Sequence, residues 1–112
     1  MKSFSDDWSA HAALGIVLAH LGQKTRAIEE GKKSVELMPL EKDALDAGPT
    51  AIYSLAQISA VAGETDASID KLEQVLSIPN FYTTYFIQKD PEFVSLRTLP
   101  RFQKLMEKYK VE

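Results

Sequence analysis

The two halves of this chain carry the same helical pattern, with the second copy 41 residues after the first. The clearest equivalent pairs are Leu14 and Leu55, Gly22 and Gly63, and Ile28 and Ile69. A long repeat of this kind is typical of stacked helical hairpins, each of which buries its apolar face against a neighbour. Such arrays bind or scaffold other molecules more often than they catalyse reactions.

Each copy has the pattern of two helices joined by a short turn. Apolar residues recur every three or four positions from Trp8 onward, which places them on one helix face, and the pattern stops at Gly22. A second period follows and ends at Pro39, because proline lacks the amide hydrogen that a helix interior needs. We therefore expect antiparallel hairpins at about 6–38 and about 49–78, with a connector at 39–48. Gly15 and Gly31 fall on the facing sides, where small residues allow close approach of the helices.

The C-terminal stretch 79–112 has the composition of a cap on the second hairpin. Aromatic residues cluster at 81–87 without a helix start signal, which favours an extended or irregular segment. Asp90 is expected to cap a short turn with Pro91 at its first position. Pro100 opens a last helix with an apolar face at i, i+3, i+4 and i+7. The fold class expected is an all-α superhelix over 1–112, with two hairpins, a short turn and a capping helix.

The spacing of Leu14-Gly15, Ala27 and Pro39 resembles the tetratricopeptide repeat, although His11 stands where that repeat has its tryptophan. The stretches "GKKSVELMPLEKDALD" and "DPEFVSLRTLPRFQKLMEKY" are similar to the C-terminal part of a bacterial group of tetratricopeptide proteins. In that group the repeats are often attached to kinases, cyclases or DNA-binding regulators. The resemblance implies a protein-interaction or regulatory module, and it leaves open whether the chain is a whole protein or a fragment of a larger bacterial signalling protein.

The resemblance also implies a peptide groove along the first helices of the two hairpins. The residues of this chain that stand at the groove positions of the family are Ser9, Ala12, Ile16 and His20 in copy one, and Thr50, Tyr53, Ser54 and Gln57 in copy two. Members of the family that bind a terminal carboxylate use Lys and Asn at positions where this chain has Ala12, Ile16 and Ser54. Tyr53 is the best anchor in this groove, because tyrosine offers area and a hydrogen bond at low entropy cost.

Composition narrows the classes of function. The net charge is −3 and there is no cysteine, which argues against a nucleic-acid binder and excludes thiolate chemistry. His11 and His20 are nine residues apart on one helix, hence on opposite faces, and do not share a metal. We expect a soluble cytoplasmic protein with no cofactor, no metal and no membrane or nucleic-acid partner. An enzyme is the least favoured alternative, since no cluster of titratable residues or nucleophile motif is visible.

Two further surfaces follow from the sequence. The stretch 97–112 is basic, and a docking patch for an acidic partner would consist of Arg97, Arg101, Lys104 and Lys108. The more economical interpretation is a solvated helix face whose cations favour the helix C-terminus. The second surface is the outer flank of the first helix, which lacks an obvious cap before Trp8. That flank favours a symmetric homodimer as an alternative function.

Overall fold

Each copy of the repeat forms an antiparallel helical hairpin. The structure, a computed structural model, describes residues 6–78 and 82–110. Its elements are α1 (Trp8–His20), α2 (Lys24–Leu37), α3 (Ala47–Val61), α4 (Thr65–Leu76), α5 (Thr84–Lys89), a 3₁₀ helix (Pro91–Leu96) and α6 (Pro100–Lys108). These two ranges contain helices and no strand, so the predicted all-α class is confirmed. None of the helices in them has the length and apolar character needed to cross a membrane.

The two hairpins close with the same backbone geometry. Gly22 and Gly63 have left-handed φ values of 82° and 86°, which residues with a Cβ rarely adopt. The amide of Gln23 donates to the carbonyl of Leu18 at 2.9 Å, and the equivalent bond 41 residues later is 2.8 Å. This is a Schellman closure in both copies, as expected for glycine just past a helix end. The internal repeat is thus present in hydrogen bonds as well as in sequence.

The hairpins stack side by side in two layers. The helices α1 and α3 and the 3₁₀ helix form one layer, in which α3 packs against α1 and the 3₁₀ helix packs against α3. The helices α2, α4 and α6 form the other layer, and the described part of the molecule measures 44 × 31 × 18 Å. A thickness of 18 Å fits two layers of helices, since one helix with its side chains is about 10–12 Å across.

Close packing explains the glycines inside the first hairpin. A Cβ on Gly15 would lie 2.5 Å from Cδ1 of Ile58, and one on Gly31 would lie 2.7 Å from Cδ1 of Leu55. The two helices of copy one therefore receive side chains of α3 in the space that a Cβ would fill. Gly15 also approaches α2 as expected, since its Cβ would lie 3.2 Å from the carbonyl oxygen of Ala27, whereas the neighbours of Gly31 belong to α3 and not to α1.

The C-terminal stretch supplies much of the larger core. Ile87, Phe93 and Leu96 have no exposed surface, and they share one buried cluster with residues of α3, α4 and α6. A smaller cluster joins the first hairpin to α3 through Leu18 and Ile58. The tail residues therefore serve as core, as the sequence favours.

The expectation of an irregular segment at 81–87 is wrong for most of its length. Thr84–Lys89 is helical, and the Thr83 hydroxyl caps it by accepting a hydrogen bond from the Phe86 amide at 3.3 Å. Threonine before a short helix is a start signal that the sequence does contain. Phe81 lies outside the described residues. The prediction for Asp90 is confirmed, because its side chain caps the 3₁₀ helix that begins at Pro91.

Candidate protein-interaction surfaces

The face predicted as a peptide groove is only partly open. Of the copy-one positions, Ser9 and His20 are exposed, Ile16 is half-buried and Ala12 is buried. Of the copy-two positions, Thr50, Ser54 and Gln57 are half-buried, and Tyr53 is only 4% exposed. At Thr50, Tyr53 and Gln57 the covering residues belong to the chain's own segment 82–96.

Aromatic packing seats this segment on α3. The Tyr82 ring stacks on Tyr53 with 4.1 Å between centroids and 13° between planes. Phe86 and Phe93 meet the same Tyr53 ring edge-on, at centroid distances of 5.8 Å and 5.5 Å. Offset stacks and edge contacts of this kind are the favoured geometries for aromatic pairs. Tyr53 is therefore the centre of an internal aromatic cluster.

Asp90 provides the polar counterpart of that cluster. Its carboxylate accepts hydrogen bonds from the Tyr53 hydroxyl and, at 2.8 Å, from the Gln57 side-chain amide. The other carboxylate oxygen accepts from the amide of Glu92 at 2.9 Å, which caps the 3₁₀ helix. Burial raises the pKa of Tyr53 well above its usual value, and the hydrogen bond to Asp90 raises it further. One carboxylate thus joins two positions of the predicted groove to the C-terminal segment.

Two further contacts extend this closure along the groove. The Tyr82 hydroxyl donates to the Thr50 hydroxyl at 3.1 Å, and the His20 ring nitrogen Nε2 lies 2.8 Å from a carboxylate oxygen of Glu92. The expectation of an exposed Tyr53 anchor is therefore wrong. The physical reason is that the aromatic residues of 82–93 pack on the apolar face that a peptide was expected to cover.

Two residues of the predicted basic docking patch pair with acidic residues of the same chain. Arg101 pairs with Asp66 at 3.1 Å and also with Asp70, and Lys108 pairs with Glu73 at 3.7 Å. Positions 101 and 108 are two helical turns apart and lie on the side of α6 that faces the acidic side of α4. Both cations stay exposed while they pair with α4, which fits the interpretation of a solvated helix face.

The other two members of that patch also have neighbours within the chain. Arg97 donates to the carbonyl of Asp90 at 3.4 Å. Lys104 lines the seam between α4 and α6. All four predicted residues remain exposed, and three of them, Arg101, Lys104 and Lys108, lie beside the seam between α4 and α6.

The two histidines lie in different surroundings and have different partners. His11 is buried and pairs with Glu30 on α2, whereas His20 is exposed and meets Glu92. In the described ranges, no group of three or more acidic, histidine or cysteine side chains is arranged to hold a metal ion. The histidines therefore act here as links between helices.

An open groove lies on the other layer, between α2 and α4. It has a volume of about 500 Å³, and its floor is α3. We call it the lysine-rimmed groove. Its α2 wall consists of Lys24, Thr25, Ile28, Glu29 and Lys32. Its floor and α4 side consist of Leu55, Ser59, Glu64, Ala67 and Lys71.

Sequence reasoning missed this groove. Lys24, Ile28 and Lys32 follow one another at intervals of four, so they form one row on α2, and that spacing was the available signal. The sequence alone did not show that the seam between α2 and α4 stays open while the side of α3 that carries Tyr53 is covered by residues 82–96.

Comparison of the chain with protein-family models, with curated proteins and with solved structures finds no significant match. The resemblance to the tetratricopeptide repeat therefore rests on the residues of this chain alone.

Proposed function

We propose that this chain is a non-catalytic protein-interaction module of the tetratricopeptide type that works in the bacterial cytoplasm as a regulatory part of a signalling protein. The observation that supports the proposal is the packing of two hairpins with equivalent turns around α3. The helix α3 packs against both α1 and α2, and the two hairpins close with equivalent bonds. Stacked hairpins of this kind present long grooves between helices, which suit protein segments better than small substrates.

A peptide selection tests this proposal. The folded chain is immobilised and a random peptide library is selected on it, with heat-unfolded chain as the counter-selection target. We expect enriched peptides that bind saturably and shift the amide resonances of one contiguous surface. Absence of enrichment over the unfolded chain, in repeated selections, would refute the proposal.

A second candidate function is homodimerisation through α1. This helix contains no Lys, Arg, Asp or Glu, and it leaves Val17 54% and Leu21 67% exposed. A helix that is apolar on all sides is usually buried. A second copy packed on this flank would bury that surface in a symmetric interface.

Sedimentation of matched variants tests the dimer. Val17→Glu/Leu21→Glu is expected to abolish association by placing charge in the interface. Leu45→Glu is the control, because Leu45 lies in the connector and is 77% exposed. A monomeric wild-type chain at high micromolar concentration would exclude this candidate.

A further inference from the structure

The helix α6 shows how this scaffold holds a helix. It docks on α4 with an apolar residue, Leu105, in the same buried cluster as Ile69, and with cations paired to flanking acids. The seam that remains between the two helices has a volume of only about 170 Å³. The residues of α4 that take part are Asp66, Ile69, Asp70 and Glu73.

The equivalent surface of the first copy is open. The counterparts of those four residues, 41 positions earlier, are Thr25, Ile28, Glu29 and Lys32. All four line the lysine-rimmed groove, whose volume is about 500 Å³. The surface that binds a helix in copy two is thus accessible in copy one, with α4 forming only the far side of the groove.

The charges of the two surfaces differ, and this difference selects the partner. In copy two, acidic side chains of α4 meet the basic side chains of α6. The groove of copy one instead has Lys24, Lys32 and Lys71 on its rim, against Glu29 and Glu64. This rim carries a net positive charge on a chain whose total charge is −3. A basic helix such as α6 is disfavoured there, whereas acidic side chains beside the lysines are attracted.

We propose that the lysine-rimmed groove binds an acidic amphipathic helix of a partner protein. The apolar stripe of the bound helix packs on Ile28, Leu55 and Ala67, and its flanking Glu or Asp side chains pair with the rim lysines. Two helices over a third form a trough in which another helix packs its ridges. This inference rests on the proposed interaction function and names the partner class for one surface.

A designed peptide tests the proposal directly. The probe is a stapled helix of about 15 residues, since unstapled helices of this length are marginal in water. It carries leucines at i, i+3, i+4 and i+7, with glutamates on both sides of that stripe. One control peptide has lysines in place of the glutamates, and another has the same composition with the leucines scattered around the helix. Binding is measured by fluorescence anisotropy at low salt and mapped by amide chemical shifts.

Charge-reversal variants locate the site. Lys32→Glu/Lys71→Glu is expected to weaken binding about five- to ten-fold, since each exposed pair contributes a modest amount and reversal adds repulsion. Lys33→Glu/Lys42→Glu is the matched control, because it changes the net charge equally at exposed residues outside the groove. That control is expected to change the affinity less than about two-fold.

The outcomes separate this inference from the proposed function. Binding of the acidic helix with shifts at α2 and α4, lost in the groove variant alone, supports the inference. Equal binding of the scattered-leucine control, equal loss in both variants, or shifts at α1 without shifts at α2 and α4 would overturn it. Concentration-dependent pairing of the chain through this groove would also overturn it, in favour of a second copy. An acidic probe that fails while selected peptides bind elsewhere refutes only the groove; failure of every peptide refutes the interaction function itself.

Discussion

The contact between Gly15 and Ile58 yields the sharpest test of how the repeats are packed. In Gly15→Ala the new Cβ would lie 2.5 Å from Cδ1 of Ile58 and 3.2 Å from the carbonyl oxygen of Ala27. Cδ1 is the end of a side chain, but Ile58 has no exposed surface, so it lacks free space into which to rotate. The substitution therefore forces α1 and α3 apart or strains the rotamer of Ile58.

The expected size follows from two opposing effects. Replacing glycine by alanine inside a helix favours folding by about 1 kcal/mol. Inserting a methyl group into a filled core disfavours it by about 1–3 kcal/mol. We expect Gly15→Ala to lower the free energy of unfolding by about 1 kcal/mol, even though alanine is the better helix former.

Ile58→Val provides the rescue, because it removes the Cδ1 atom that the new methyl group would meet. Alone, Ile58→Val is expected to lower the free energy of unfolding by about 1 kcal/mol. In the Ile58→Val background, Gly15→Ala meets its nearest remaining neighbours at 3.2 Å and 3.3 Å, so it is expected to be neutral or stabilising. The coupling between the two changes is then about 1–2 kcal/mol.

Urea denaturation followed by circular dichroism measures all four proteins of this double-mutant cycle. Ala13→Gly is the control, since Ala13 is exposed on α1 and should report helix propensity alone, with about the same loss in both backgrounds. An equal effect of Gly15→Ala with and without Ile58→Val would refute the packing argument. So would a stabilisation of about 1 kcal/mol by Gly15→Ala alone.

Three further outcomes are expected. Ser34→Ala should raise the free energy of unfolding by about 1 kcal/mol, because no hydrogen-bond partner of the buried Ser34 hydroxyl lies within residues 6–78 and 82–110. Ser68→Ala should lower it, because that hydroxyl donates to the Ala56 carbonyl at 2.7 Å; thermal unfolding compares the two. Because folding raises the pKa of Tyr53 above 10.0, this hydroxyl ionises at lower pH in the unfolded chain than in the folded one, so the extra stability of wild type over Tyr53→Phe should be constant below about pH 10 and fall above it. Urea titrations at several pH values measure this difference. Asp90→Ala should lower the free energy of unfolding by about 2–3 kcal/mol in the same assay, because two donors and a helix cap lose their acceptor.

The hairpins were predictable because local signals decide them. Gly22 and Gly63 mark helix ends through a backbone geometry that favours glycine, and Pro39 stops the second helix for a reason that holds in any fold. Gly15 and Gly31 also indicated that another part of the chain packs closely against them, since glycine in a helix interior is unfavourable without such packing. In each case the residue type itself carries the constraint.

The candidate surfaces were less predictable because they depend on contacts between distant parts of the chain. Tyr53 has the residue type of a binding anchor, and only its contact with Tyr82 and Asp90 shows that the position is filled. Arg101 likewise looks like a docking residue until its pairing with Asp66 and Asp70 is known. Amino-acid type indicates what a side chain is able to bind, whereas the fold decides whether the binding is internal.

The two copies differ in charge at the surface that α6 covers on α4 and that is open on α2. The backbones repeat, and Ile28 and Ile69 are equivalent apolar residues, so the shape of the surface does not decide which of them α6 covers. The charged neighbours differ: α4 presents Asp70 where α2 presents Glu29, but Glu73 of α4 is replaced by Lys32 on α2. A cation of α6 that pairs with Glu73 would meet a like charge at Lys32, which disfavours docking in the wrong place. The same reversal leaves the first copy suited to a helix of opposite charge.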